Sequence, residues 1–223
     1  MQYRHEAKHL ITAADVLVLR QRLRVVARPD AHAPDGVYHI RSLYFDTPRD
    51  TALREKLDGV SRREKFRIRC YNRSADFIRL EKKVKNGGLG YKQSARLTAA
   101  ETQALLAGQT DWMTDDARPL VRELHAKMRT RLLAPKTLVD YLREPFVYAP
   151  GNVRVTIDRA LRTGLRCTDL LDPDCVTVPA GDGGAVLEVK WDEFLPDVIR
   201  RAVQLPGCRT SAFSKYAACR VFD

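Results

Sequence analysis

The chain has 223 residues, 44% of them hydrophobic, with 39 Lys and Arg against 28 Asp and Glu for a net charge of +11. That size and apolar fraction suffice for a buried core and exclude a largely disordered chain. No stretch approaches the roughly 18 apolar residues of a membrane-spanning helix, and no apolar segment follows the charges of the opening MQYRHEAKHL, so a cytoplasmic protein is expected.

Alternation and β-branched content predict a first strand over residues 2–9. Thr12 and Asp15 then form a capping-box pattern, and Val16, Leu19, Leu23 and Val26 recur at helical spacing. A loop with two prolines runs from Arg28 to Gly36, and a second strand covers 37–46. A short helix over 48–58 is predicted from Pro48 in its first turn and Gly59 just beyond its end. Strands follow over 63–72, 76–85 and 90–97, then a helix that Thr98 and Glu101 open and Gly108 ends, and another over 117–131. The last strands cover 136–148, 152–159 and 184–192, with a helix over 196–206. Strand and helix do not alternate as in a doubly wound sheet, so the expected class is α+β, mainly antiparallel. No repeat and no linker divides the chain, which is expected to form a single domain over 1–223. The five cysteines are odd in number and form no C-x-x-C pair, which indicates neither a disulfide framework nor a zinc knuckle and suits a reducing compartment.

An excess of this size calls for an anionic partner: nucleic acid, an acidic membrane surface or phosphate-rich small molecules. Residues two apart on a strand share a face. Glu6 joins Lys8; Arg67 joins Arg69; Arg79, Glu81, Lys83 and Lys85 share a face that Lys82 leaves; Lys92, Ser94 and Arg96 line up. So do Tyr141 with Arg143, Arg154 with Thr156 and Asp158, and Glu188 with Lys190. Any one such strand reads as half buried with a wet face. Repeated over about eight strands, the number that closes a small barrel, the pattern becomes a basic tunnel if that face points inward. Confined cations are costly unless an anion joins them, and a chain of phosphates suits Arg forks and Lys point charges. The isolated carboxylates then suit a hard divalent cation that also binds the phosphates.

The segments R-H-E-A-K (4–8), Y-H-I-R-S-L-Y-F-D-T (38–47), R-R-E-K-F-R-I-R-C-Y (62–71), L-E-K-K (80–83), R-V-T-I-D-R (154–159), L-E-V-K (187–190) and F-S-K-Y (213–216) lie in the order found in the VTC domain. The whole chain resembles this polyphosphate polymerase domain, a branch of the CYTH-like triphosphate tunnel metalloenzymes. The resemblance implies an eight-stranded antiparallel β tunnel with flanking short helices. It also implies metal-dependent phosphoryl transfer, with ATP as donor and polyphosphate as product. By position it makes Lys8, Arg67, Arg69, Lys83, Arg154 and Lys215 the catalytic cage. Lys92, Arg143 and Lys190 become further phosphate ligands, and Glu188 with Glu6 the ligands of Mg²⁺ or Mn²⁺. Arg4 stands where the wider tunnel class often has the first glutamate of E-x-E-x-K, which suits the VTC branch and weakens Glu6 as a ligand. The regulatory SPX domain and membrane helices of eukaryotic members are not seen in this sequence, so neither control by inositol phosphates nor export of product across a membrane is expected of this chain by itself, and a separate membrane partner is left open.

Two alternatives share the binding site: a triphosphatase that uses water as acceptor, and a non-catalytic module that binds polyphosphate or nucleotide. Nucleic acid is not the expected partner, because much of the excess charge follows strand alternation and not one helix or loop face with interleaved aromatics. His5, His9, His39 and His125 lack metal-ligand spacing and read as structural or surface groups. Tyr38, Tyr44 and Phe45 read as core more readily than as a base-stacking platform. Asp46 reads as a cap or turn residue, Asp158 as a partner for a neighbouring Arg, and Gly87-Gly88 as a hairpin turn.

Overall fold

A computed structural model describes residues 4–33, 35–87 and 89–221. Two-residue alternation is realised as one antiparallel sheet. In chain order the elements are β1 (His5–Ile11), α1 (Ala13–Val26), β2 (Arg28–Pro29), β3 (Tyr38–Asp46), α2 (Thr51–Leu57), β4 (Arg63–Tyr71), β5 (Ser74–Asn86), β6 (Leu89–Leu97), α3 (Ala99–Leu106), α4 (Pro119–Arg131), β7 (Ala134–Tyr148), β8 (Val153–Thr163), β9 (Val178–Pro179), β10 (Ala185–Trp191), α5 (Asp197–Ala202) and α6 (Lys215–Ala218). The eight long strands run in the order β1-β10-β8-β7-β3-β4-β5-β6, with β2 paired to β7 and β9 to β8. The sheet curls until its edges touch, where Arg4 of the β1 side forms a bridge with Gly90 of β6. This is the expected eight-stranded tunnel. Residues 2 and 3 of the first predicted strand, and Gly88 of the predicted hairpin, lie outside the described residues.

The apolar face of the sheet points outward and is covered by helices in two places. Val16, Leu19 and Leu23 of α1 and Ile199 and Ala202 of α5 pack over Val155 and Ile157 of β8 and Leu187 and Val189 of β10. On the other side Leu105 of α3 and Leu120, Val121 and Leu124 of α4 cover Phe66, Ile68, Ile78 and Leu80. Leu19, Leu23, Ile68, Leu80 and Leu187 are wholly shielded from solvent, each contributing roughly 1.5–3 kcal/mol by burial. The capping boxes of Thr12 and Thr98 form as their spacing requires, each side chain accepting from the backbone three residues on. Lys82, which breaks the alternation of β5, points out and pairs with Glu64 and Glu123.

Two expectations are corrected. The second helix starts at Thr51 and not at Pro48, because Asp50 adopts a left-handed conformation (φ 53°) that Pro48 and Arg49 lead into as a turn. β8 continues past the predicted end at Arg159 to Thr163 through a bulge at Ala160 (φ 53°), where alternation reverses and sequence periodicity ends. Cys167 and Cys175, which the sequence does not bring together, lie with their sulfurs side by side. The loop between them folds back so that Leu170 is buried in the outer core, which brings the two sulfurs together without any spacing signal.

Candidate functional site

The charged faces of β1, β4, β5, β6, β8 and β10 point into the tunnel, whereas β3 and β7 turn Ile40 and Val139 inward with Tyr44 and Tyr141 and hold the buried pair of Arg41 and Asp140 on their outer face; neighbours across the ladder set the levels of the lining. Lys8 lies beside Glu188, and Glu6 beside Lys190. Lys190 in turn lies beside Arg154, and Arg143 beside Asp158. On the facing wall Lys65, Lys83 and Lys92 stand in a row across β4, β5 and β6, next to a second row of Tyr44, Arg67 and Glu81. Ser214 then caps the short helix α6, which places Lys215 and Tyr216 inside, with Tyr216 stacked on Tyr44 at 5.0 Å.

One cluster forms around Glu188 and Asp158, both almost completely buried. Lys215 Nζ lies 2.6 Å from Asp158 and 2.9 Å from Glu188. Arg143 donates two bonds of 2.6 Å to Asp158 and a longer one of 3.4 Å to Glu188. Lys190 reaches Glu188 at 3.1 Å and Glu6 at 3.5 Å; Lys8 lies 3.4 Å from Glu188. Lys83 bonds Glu6 at 2.9 Å. Burial alone would raise the carboxyl pKa of Glu188, but Lys215, Lys8, Lys190 and Arg143 outweigh it and hold the group well below its ordinary range. Burial pulls the Lys83 ammonium down to about 7, against the attraction of Glu6.

The second cluster centres on Glu81, also buried. It accepts from Arg67 Nε at 2.8 Å and from Lys92 at 2.7 Å, with Arg69 3.9 Å away. Arg67 also donates to the Tyr44 hydroxyl (2.8 Å), and Arg69 to Ser42 (3.1 Å) and the Tyr141 hydroxyl (3.0 Å). Burial disfavours ionisation of Tyr44, yet the fields of Arg67, Lys65 and Arg69 bring its pKa down to about 8.

Of the residues singled out from sequence, Lys8, Glu6, Lys83, Arg143, Glu188, Lys190 and Lys215 therefore meet in the first cluster, and Arg67, Arg69 and Lys92 in the second. Arg154 stands apart: its guanidinium donates to Asp30 and to the Tyr38 hydroxyl, and touches neither cluster. Asp158 pairs with Arg143 as well as Lys215. Glu81, Tyr141 and Lys65 also line the tunnel without having been assigned a role. Lys65 was legible, since it sits two residues before Arg67 in the same alternation, and Tyr141 shared the face of Arg143; the hydroxyl of Tyr44 carries no sequence signal that separates it from a core tyrosine.

Glu6 and Glu188 offer hard oxygen donors that suit Mg²⁺ or Mn²⁺. Among the described residues no group of three or more His, Cys, Asp or Glu side chains gathers to hold a metal. Two carboxylates are an incomplete donor set by themselves, and Lys190 lies between them at 3.1 Å and 3.5 Å, so an ion held there would need phosphate oxygens of the substrate to complete its coordination. Among the described residues no helix is long and apolar enough to cross a membrane.

No curated protein matches the sequence. Solved structures of low identity share the architecture, two of them over most of this chain. One is a putative adenylate cyclase from Bacillus halodurans, 14% identical, with a TM-score of 0.51 over 85% of this chain and 80% of that one. The other is the PH1012 protein from Pyrococcus horikoshii, 12% identical, with a TM-score of 0.51 over 96% of this chain and 98% of that one. These likenesses concern the fold. The model of the VTC domain matches residues 3–222, end to end along the strands that build the basic lining, and the chain belongs to that family.

Proposed function

We propose that the protein is a phosphotransferase that lengthens a polyphosphate chain with the terminal phosphate of ATP. The observation that supports this reading most is the lining itself. Inside the tunnel Lys and Arg outnumber the carboxylates and gather on Glu6, Glu81, Asp158 and Glu188. A phosphate chain offers those same cations a denser set of oxygens. Arg67 and Arg69 would exchange their contacts with Tyr44, Ser42 and Tyr141 for phosphate oxygens while Glu81 keeps hold of Arg67 Nε. Lys8, Lys83, Lys190, Lys215 and Arg143 would surround the transferring group near Glu188, with Lys92 and Arg154 holding the chain further along.

In this scheme the terminal oxygen of the acceptor chain forms a bond to the γ-phosphorus, the bond from that phosphorus to the bridging oxygen breaks, and ADP leaves with the electron pair. The acceptor gains one phosphate and no redox change occurs. The cations neutralise the charge on the equatorial oxygens, the main source of acceleration for this chemistry. A Mg²⁺ or Mn²⁺ ion on Glu188, with Glu6 beside it, would supply further neutralisation when bound.

Incubation of the pure protein with ATP and Mn²⁺ is expected to yield polymer that runs as a ladder on a gel. Glu188→Gln should lower its production by roughly 100-fold or more while leaving the circular dichroism unchanged. Orthophosphate without polymer would replace this reading with that of a triphosphatase. Tripolyphosphate binding without turnover of any kind would leave a binding module.

A further inference from the structure

Helix α1 is apolar on two opposite sides. Val16, Leu19 and Leu23 face the sheet and are buried, while Leu17, Val18 and Val25 form a ridge on the outer side with 59%, 37% and 84% of their surface exposed. A surface helix ordinarily presents polar residues there. Arginines flank the ridge on both sides at 100° per residue: Arg22 on one, Arg24 on the other, with Arg28 just beyond the helix end, all exposed. The side chains of Arg24 and Arg28 make no hydrogen bond or ion pair among the described residues. Helix α5 packs alongside on the same face of the sheet and adds the half-exposed Val198 and the exposed Arg201. None of these groups takes part in the tunnel.

We propose that this face is a docking surface for an anionic lipid membrane, with the ridge of Leu17, Val18 and Val25 set among the acyl chains and the flanking arginines at the headgroups. An apolar strip bordered by cations is what an interfacial helix presents to such a surface. Charge argues against a second copy of the chain as the cover, because two such faces would bring arginine rows together. The nearby acids do not relieve this: Asp15 is held in the capping box by Thr12, and Asp197 pairs with Arg200 at 2.7 Å. The proposal is independent of the reaction assigned to the tunnel.

Sedimentation of the full chain with vesicles tests it. Vesicles of phosphatidylcholine and phosphatidylserine should carry the protein down, and vesicles of phosphatidylcholine alone should not. Replacing Arg22, Arg24 and Arg28 together by Gln is expected to weaken binding by roughly 100-fold, from about fivefold for each arginine at an anionic surface. Leu17→Ser with Val25→Ser should also weaken it. Both sets of substitutions lie on the exterior and should leave the melting temperature and phosphate turnover unchanged. Lys83→Gln with Lys92→Gln should bind vesicles like the parent. Equal binding to both vesicle types would overturn the proposal, as would loss of binding only in the tunnel variant. A concentration-dependent dimer that Leu17→Ser with Val25→Ser abolishes would instead assign the face to a second copy.

Discussion

Among the described residues Lys65 has no carboxylate partner in the tunnel. Its ammonium lies 3.4 Å from Ser214 Oγ and 5.9 Å from the centre of the Tyr44 ring. Burial brings its pKa down to about 8; Tyr44 opposes this, while Lys8 and Arg67 add to it. In the unfolded chain a lysine holds its proton up to about pH 10.4. The folded protein therefore binds fewer protons between these limits, so stability rises with pH across that window; the penalty is fully present below pH 8. A bound phosphate chain reverses the local field and restores the ammonium. Tripolyphosphate binding without metal should thus take up a proton near pH 8 and weaken as pH climbs through that value. Calorimetry in buffers of differing protonation enthalpy measures both effects. Lys65→Arg, which keeps its charge throughout, should lose the component centred there, and an unchanged pH profile in that variant would sink the assignment. Alternation alone had already placed Arg67, Arg69, Lys83, Arg143, Glu188 and Lys190 on one face, since strand geometry fixes it locally. Lys215 was legible only through the F-S-K-Y resemblance, because it stands on a four-residue helix and reaches Glu188 by tertiary folding.

At the scale of elements, Asp46 joins three of them. It ends β3, and its carboxylate accepts from the backbone N–H groups of Thr47 (2.8 Å), Ala52 (2.9 Å) and Leu53 (3.1 Å). The last two belong to the first turn of α2, whose own N-cap residue Asp50 makes no side-chain cap bond. The Tyr216 hydroxyl of α6 donates to the same carboxylate at 2.7 Å. This corner therefore holds in place the helix that delivers Lys215. Asp46→Ala would leave several buried donors unpaired and should cost about 2–4 kcal/mol, whereas Tyr216→Phe removes one bond and should cost about 1 kcal/mol. Denaturant unfolding of the two variants compares them, and an equal loss would show that the corner does not act as a node. The sequence marks Asp46 as a cap ahead of Pro48, but nothing in it announces the tie to Tyr216, 170 residues away. The same distinction explains β8. Its alternating half was readable, and the part after Ala160 was not, because a bulge turns Leu161 and Thr163 inward, where Thr163 bonds the Cys219 carbonyl.

The net charge of +11 takes on two meanings across the whole molecule. One part is turned inward, where the cations repel one another in a confined space and rely on a few carboxylates for relief. Another part lies on the outer helices, where water and salt screen it. These parts respond differently to added anions. An anion that fits the tunnel binds the folded state alone, and at about a hundred times its Kd it should stabilise that state by about 2.7 kcal/mol. For a chain of this size the melting temperature should rise by roughly 5–10 °C with tripolyphosphate. Sodium chloride at matched ionic strength merely screens and should produce a small fraction of that rise. Substituting Lys83 and Lys92 together by Gln should reduce the tripolyphosphate effect, because it removes two neighbouring cations from the inner row, whereas Arg22→Gln with Arg24→Gln on α1 should preserve it. If chloride matches tripolyphosphate, or if the α1 variant loses as much as the tunnel variant, the stabilising charge lies outside and the excess has no special address within the fold.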